Sequence, residues 1–188
     1  PLENPQPGIA QHGHGHARHG YQTTEAQQAD RVVTGRYPNQ LPTGAPLGQP
    51  TGRASRFSSA EAEAEALGSA RRILNRELKA GSVNGYTDPV TGARTYVDPV
   101  TGIPISREII VTTKRPGGFG TSQVVRRHQH PSTSILPDAA GKRVAIPSTT
   151  SLPNARVTFE YVPSTGTWRL VTYFPEPAPL PNGQKTLL

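Results

Sequence analysis

The chain has 188 residues, of which 33% are apolar, and this length favours a single domain with a modest core. The absence of cysteine excludes a disulfide scaffold and thiolate chemistry, and no apolar run is long enough for a transmembrane helix. The formal net charge of +7 favours a polyanionic partner, with nucleic acid ahead of a membrane surface.

The ends of the chain suggest a part of a larger protein. Methionine is absent, and no signal peptide is recognisable. Because an open reading frame needs an initiator, we expect the chain to be cut or released from a longer polypeptide. We expect residues 1–12 to be a linker from that precursor, residues 13–175 to form the folded domain and residues 176–188 to be a Pro-rich tail.

The N-terminal part of the chain predicts a loop followed by a short helix. Residues 1–20 are typical of a loop, because proline and glycine recur among closely spaced histidines. Thr24 is a plausible N-cap with a capping-box spacing, and Gly35 is a natural stop. Arg31 would then lie on the last turn of this helix. A connector rich in proline and glycine follows over residues 36–54.

The middle of the chain combines a longer helix with two turns. Ser58 is the predicted N-cap, Gly81 is the predicted stop, and apolar residues between them recur at helical intervals. Acidic residues lie in the early turns and basic residues in the late ones, as the helix dipole favours. The sequence Asp-Pro-Val-Thr-Gly then occurs at 88–92 and again at 98–102, and each copy predicts a turn.

The second half of the chain is β-rich. A turn at 163–166 makes the last two predicted strands an antiparallel pair. The prolines from Pro175 onward would end the fold. Helices first and antiparallel strands afterwards predict an α+β fold with N-terminal helices and a twisted antiparallel sheet. The predicted strands cover residues 107–114, 122–127, 155–162 and 167–174.

Four of the six histidines lie between His12 and His19. Such a cluster can bind a metal, form a disordered arm or supply a general acid or base. Metal binding is disfavoured because the cluster contains no carboxylate or cysteine and its glycines give no rigidity. RNA cleavage needs a base for the 2′-hydroxyl, an acid for the leaving oxygen and a cation for the phosphate, and imidazole and guanidinium groups fit these roles. This chemistry needs neither metal nor cofactor, and we expect none.

Four short motifs occur in a distinctive order. Gly-His and Arg-His lie within residues 13–19, and the helix with Arg31 follows. Ala-Ser-Arg-Phe at 54–57 precedes the long helix, and the last strand ends Leu-Val-Thr-Tyr-Phe-Pro at 170–175. Together they resemble the RNase A-like C-terminal toxin domain of contact-dependent growth inhibition proteins and related bacterial polymorphic toxins.

The resemblance implies a disulfide-free relative of the pancreatic ribonuclease fold that cleaves RNA, in some members tRNA. Attack by the 2′-hydroxyl would leave 2′,3′-cyclic phosphate ends. The monomeric domain would be delivered as the C-terminal part of a secreted or cell-surface protein, would act in the cytoplasm of a target bacterium and would bind a dedicated immunity protein.

Matched position by position, the resemblance assigns catalytic roles to His19, Arg31 and Thr172. His14 matches the accompanying histidine, and the division of roles between the two histidines stays open. Where some members have a tyrosine after the threonine, this chain has Phe174, and which neighbouring aromatic residue replaces that tyrosine is also open. The expected RNA-binding residues are Arg18, Ser55, Lys114, Arg115, Arg126, Arg127, His128 and Tyr173.

Thr172 also has a simpler interpretation as a sheet threonine favoured by β propensity. Alternation along a regular strand would place it on the same face as Trp168, Leu170 and Phe174. It would then border the core and reach a cleft only at the edge of the sheet.

Two alternatives to this ribonuclease remain. One is a different nuclease-toxin fold that uses His128 or His130, which lie in a second basic cluster. The other is a non-catalytic basic nucleic-acid-binding module with a disordered histidine arm. Only the ribonuclease interpretation requires His19, Arg31 and Thr172 to converge in space.

Overall fold

The computed structural model describes residues 14–40, 43, 45–105, 108–125 and 143–178, and the backbone of 186–187. These ranges contain three α-helices and nine β-strands, which confirms the α+β class. None of the helices in these ranges has the length and apolarity to cross a membrane. The helices are α1 (Gly15–His19), α2 (Glu25–Thr34) and α3 (Ala60–Lys79), and the strands are β1 (Arg53–Phe57), β2 (Tyr86–Thr87), β3 (Arg94–Thr95), β4 (Glu108–Lys114), β5 (Gly120–Val125), β6 (Ala145–Pro147), β7 (Asn154–Val162), β8 (Thr167–Glu176) and β9 (Thr186–Leu187).

The two predicted helices are present, and their ends follow the local signals. Thr24 forms a complete capping box at the start of α2, and Gly35 ends that helix in the left-handed conformation with a φ of 86°. Helix α3 begins later than predicted because Ser59, rather than Ser58, is the N-cap. Ser58 instead donates its backbone N–H to the Phe119 carbonyl, next to the pairing of β1 with β5.

Helix α1 lies where the sequence predicted a loop. It packs on Tyr173 of β8 so closely that a Cβ on Gly15 would lie 2.3 Å from a ring carbon. Glycine, which indicated a loop in the sequence, therefore permits a close approach between helix and strand. His16 links α1 to α3, because its Nδ1 lies 2.7 Å from Oε1 of Glu63. A helix this short depends on such tertiary contacts.

The strands form two larger sheets and one hairpin, with orders β1-β5-β6, β8-β7-β4-β9 and β2-β3. Strand β8 continues to Glu176, so the prediction that Pro175 ends the fold is wrong. Proline is tolerated there because β8 is the edge strand of the described sheet. Strand β9 pairs in parallel with β4 and lies within the stretch interpreted as a tail.

The main core lies between α3 and one face of the four-stranded sheet. Alanines at the buried positions of α3 let the helix lie close to the strands. A smaller core joins α2 to the three-stranded sheet through Val32, Ala54 and Val125. The main core includes Ala62, Ala66, Leu67, Ala70 and Leu74 of α3 and Ile109, Val111, Val157, Phe159 and Tyr173 of the sheet.

A β-bulge in β8 determines which residues face away from this core. The register with β7 leaves Val171 as an extra residue between two regular stretches. On one side of the bulge, Trp168 and Leu170 pack against the main core. On the other side, Thr172 and Phe174 alternate with a core residue and so belong to the opposite face. The prediction that Thr172 shares a face with Trp168 and Leu170 is therefore wrong.

Candidate active site

A cleft of about 390 Å³ opens where α1, α2, β1 and the end of β8 meet. This volume lies within the range of about 300–1,000 Å³ that small-ligand sites occupy. Apolar groups from the end of β8 form much of one wall, and ionisable groups from the helices and strands lie around it. Its lining includes His19, Arg31, Arg53, Ser55, Phe174 and Glu176.

His19 is the last residue of α1 and is 6% exposed. Its Nδ1 lies 2.8 Å from the carbonyl oxygen of Ser55. Because a carbonyl only accepts, Nδ1 carries the proton, and the neutral imidazole has its lone pair on Nε2. Nη1 of Arg31 donates to this Nε2 at 3.0 Å. The Phe174 ring packs on the imidazole with 5.2 Å between centroids, so the imidazole is held on three sides.

The histidines of the site are neutral at pH 7. Burial, followed by the charge of Arg31, lowers the pKa of His19 to about 3, and the bond to Ser55 opposes this shift. Burial and then the charges of Arg18 and Arg31 lower the pKa of His14 to about 4. Burial also lowers the pKa of Arg31, whose guanidinium stays charged nonetheless. His19 can therefore accept a proton at Nε2 once the Arg31 N–H has turned to another acceptor.

His14 and Arg18, both predicted from the sequence, lie next to this pair. His14 is the N-cap of α1 and is half-buried. The guanidinium carbon of Arg18 lies 3.6 Å from the centre of the Tyr37 ring, and that of Arg31 lies 5.7 Å from the same centre. Cation–π attraction thus holds both arginines at the same aromatic ring. Within the described ranges, no three His, Asp or Glu side chains are grouped so that they could hold a metal ion.

Thr172 lies near the cleft but outside its lining. It belongs to the same face of β8 as Phe174, about 7 Å along the strand from it. Its partner across the ladder is Thr158. In the part of the chain that is described, no hydrogen bond joins Thr172 to His19 or Arg31. His19 and Arg31 are therefore in contact, and Thr172 lies at the margin of their site.

Ser55 and Tyr173 hold the site together. The Ser55 hydroxyl donates to the Pro175 carbonyl at 2.7 Å, while its own carbonyl accepts from His19, so Ser55 joins α1, β1 and β8. Tyr173 is fully buried, and its hydroxyl donates to Oε1 of Glu63 at 2.6 Å. This burial corrects the expectation that Tyr173 contacts RNA.

The other residues predicted to bind RNA lie outside the lining of the cleft or outside the described residues. Lys114 is exposed at the end of β4, on the same rung of the sheet as Glu176. Arg115 forms an ion pair with Glu65 at 3.2 Å. The other basic residues predicted for RNA binding, and both alternative catalytic histidines, lie outside the described residues. These are Arg126, Arg127, His128 and His130.

Three residues of the cleft region were not found from the sequence. Glu176 is 4% exposed, and its Oε2 lies 3.5 Å from Nε of Arg156 on β7. Burial raises the pKa of Glu176, and the charge of Arg156 opposes this shift. Arg53 of β1 lines the cleft beside Ser122, with Nη1 3.4 Å from the serine oxygen. Because Glu176 follows the proline taken as the end of the fold, no local pattern could have identified it.

Comparison with known proteins adds one structural likeness. No family model matches the chain, and no curated protein matches it. Among solved structures, the chain is similar to a chain of the CdiA-CT/CdiI complex from Y. kristensenii 33638, with 18% identity and a TM-score of 0.40. The match covers 92% of this chain and 100% of that chain. A likeness this weak does not identify an activity.

Proposed function

We propose that this domain is a metal-independent endoribonuclease that acts as a toxin. The observation that carries this proposal is the contact of 3.0 Å between Nη1 of Arg31 and Nε2 of His19 in an open cleft. The pair places a neutral imidazole nitrogen beside a cation that matches phosphate oxygens. RNA supplies its own nucleophile, so these two groups provide much of what its cleavage requires.

His19 acts as the general base in this proposal. When Arg31 turns toward the bound phosphate, the lone pair on Nε2 that had accepted its N–H becomes free and removes the proton of the 2′-hydroxyl. The 2′-oxygen then attacks the adjacent phosphorus and displaces the 5′-oxygen, which leaves a 2′,3′-cyclic phosphate. The bond from Nδ1 to the Ser55 carbonyl keeps the imidazole in the required tautomer and stabilises the imidazolium that forms.

Arg31 has a second effect on the base when substrate binds. In the free protein its charge is the second-largest cause of the lowered pKa of His19. A phosphate anion bound to Arg31 offsets this charge, so His19 becomes more basic in the complex. A base is most effective when its pKa lies near the working pH, and substrate binding shifts His19 in that direction.

The other predicted residues have supporting roles. Thr172, at the margin of the cleft, would contact a non-bridging phosphate oxygen once RNA occupies the site. His14 and Arg18 would contact the flanking backbone. The net charge of +7 supports binding of a polyanion such as tRNA.

The biological setting of the proposal rests on the motif resemblance. We propose that the domain reaches the cytoplasm of a target bacterium as the C-terminal part of a secreted or cell-surface protein. A dedicated immunity protein would bind it and block cleavage. The domain would act as a monomer after release.

Total tRNA incubated with the purified protein in EDTA tests the proposal. We expect cleavage by the wild type, products with 2′,3′-cyclic phosphate ends, and a loss of about 10²–10⁴-fold or more in His19→Gln. Arg31→Gln should lose comparable activity, whereas the matched control Arg72→Gln, on the exposed side of α3, should keep it. Full activity of His19→Gln would contradict the site. Binding of tRNA without cleavage would favour a non-catalytic module.

A further inference from the structure

Cleavage of RNA requires two proton transfers, and His19 accounts for one of them. The 2′-hydroxyl has to lose a proton, and the 5′-oxygen has to gain one when its bond to phosphorus breaks. The lowered pKa of His19 means that its Nε2 starts without a proton. His19 is therefore suited to begin as the base, and the acid in the same step has to be another group.

We infer that Glu176 is the catalytic acid that protonates the leaving 5′-oxygen, an assignment that rests on the proposed ribonuclease function. Glu176 lines the same cleft as His19 and Arg31. Its Oε2 faces Arg156, whereas its Oε1 is buried and has no hydrogen-bond partner among the described residues. A buried carboxylate oxygen without a partner is uncommon in folded proteins, and a protonated, neutral carboxyl group would account for it.

The base and the arginine that pairs with the proposed acid both lie beside one aromatic ring. The Phe174 ring centroid is 5.2 Å from that of His19 and 5.9 Å from the guanidinium carbon of Arg156, the partner of Glu176. Glu176 follows Phe174 by two residues on the same face of β8. Base and proposed acid therefore border the same part of the cleft, where the scissile phosphate would be placed for attack and departure.

The surroundings of Glu176 allow it to carry a proton. Burial raises the pKa of its carboxyl group, and Arg156 of β7 opposes this effect. The other groups around the cleft are the cations Arg53 of β1 and Arg31 of α2, and the neutral His19 of α1. A bound phosphate would offset these cations and add a negative charge near the carboxyl, which favours its protonated form.

The proton balance of the reaction closes with these two residues. The O2′–P bond forms as the 2′-hydroxyl proton moves to Nε2 of His19. The P–O5′ bond breaks as the proton of the Glu176 carboxyl group moves to O5′. Afterwards His19 releases a proton to water and Glu176 takes one up, so the transesterification consumes no net proton.

A pair of ribodinucleotides that differ in one atom tests the assignment. One has the normal 5′-oxygen at the scissile bond, and the other has sulfur, which leaves as a thiolate without protonation. Glu176→Gln should lose about 10²–10⁴-fold in kcat/KM on the oxygen substrate and stay near the wild-type rate on the sulfur substrate. The matched control is Glu160→Gln, a carboxyl of β7 that pairs with Arg169 at 2.6 Å outside the cleft lining, and it should leave both rates unchanged.

Three outcomes would overturn the assignment. The first is that Glu176→Gln keeps its activity on the oxygen substrate, and the second is that it loses equal activity on both substrates. The third is that the sulfur substrate restores the activity of His14→Ala and not that of Glu176→Gln. If Glu176→Gln does not fold, the pH dependence of the wild-type rate on each of the two substrates tests the assignment. Activity on the oxygen substrate should fall as pH rises through the pKa of Glu176, whereas the sulfur profile should not, and parallel profiles would contradict the acid role. A wild type that cleaves neither substrate nor tRNA contradicts the proposed ribonuclease itself.

Discussion

Acidification from pH 7 to pH 5 should destabilise the domain because His19 is buried in its neutral form. In the unfolded chain its pKa is about 6.5, whereas burial and Arg31 lower the pKa to about 3 in the folded state. Below pH 6.5 the unfolded chain therefore binds more protons, and the free energy of unfolding falls as pH falls toward 3. Between pH 7 and pH 5 this one group should remove about 2 kcal/mol.

Urea unfolding of the wild type and of His19→Gln at pH 7 and pH 5 measures this contribution. Glutamine removes the titrating group, so the variant should lose about 2 kcal/mol less than the wild type between the two pH values. His14 also has a lowered pKa, but it is present in both proteins and its effect cancels in the comparison. An equal pH dependence in the two proteins would refute the inference that His19 is buried and neutral.

Two further variants test individual contacts. Arg31→Gln should raise the pKa of His19 in an NMR titration by about 1–3 pH units, the usual effect of one neighbouring charge, because it removes the second-largest cause of the lowered pKa. Burial remains the larger cause, so the pKa should stay below the ordinary value of 6.5, and an unchanged pKa would contradict the contact. Gly15→Ala should lower the free energy of unfolding by about 1–3 kcal/mol, because its Cβ would overlap the Tyr173 ring. Gly68→Ala, in an open position of α3, is its control and should not destabilise the protein.

Features with local signals could be predicted from the sequence. Each Asp-Pro-Val-Thr-Gly copy forms its turn as expected, and in the first copy the Asp88 carboxylate accepts from two backbone N–H groups while Gly92 has a φ of 70°. The ends of α2 follow Thr24 and Gly35 for the same reason. In each case the residues that determine the conformation lie within a few positions of one another.

The residues of the site could not be predicted from local sequence signals. The motif resemblance, rather than periodicity, selected His19 and Arg31 from the other histidines and arginines. Their contact, and the burial that lowers the pKa of His19, depend on β1 and β8, which lie far from them in sequence. Glu176 was missed because its significance comes from its neighbours across the cleft and not from any motif.

The bulge at Val171 could not be predicted, because assigning residues to strand faces by alternation assumes a regular register. The sequence of β8 alternates well enough to suggest one apolar face throughout. An extra residue reverses that alternation, so that Tyr173 joins the core and Phe174 faces His19. A single inserted position thus decides which of two adjacent aromatic residues borders the site.

The position of β8 at the edge of the described sheet explains how a short helix can complete the site. Gly15 of α1 contacts Tyr173 on the core face of β8, whereas His19 of the same helix contacts Phe174 on the opposite face. A helix can reach both faces of a strand only where no further strand blocks the way, which is at an edge. The same short helix therefore covers the edge of the sheet and carries the imidazole into the cleft, so that loss of its packing on Tyr173 would displace His19 from Arg31.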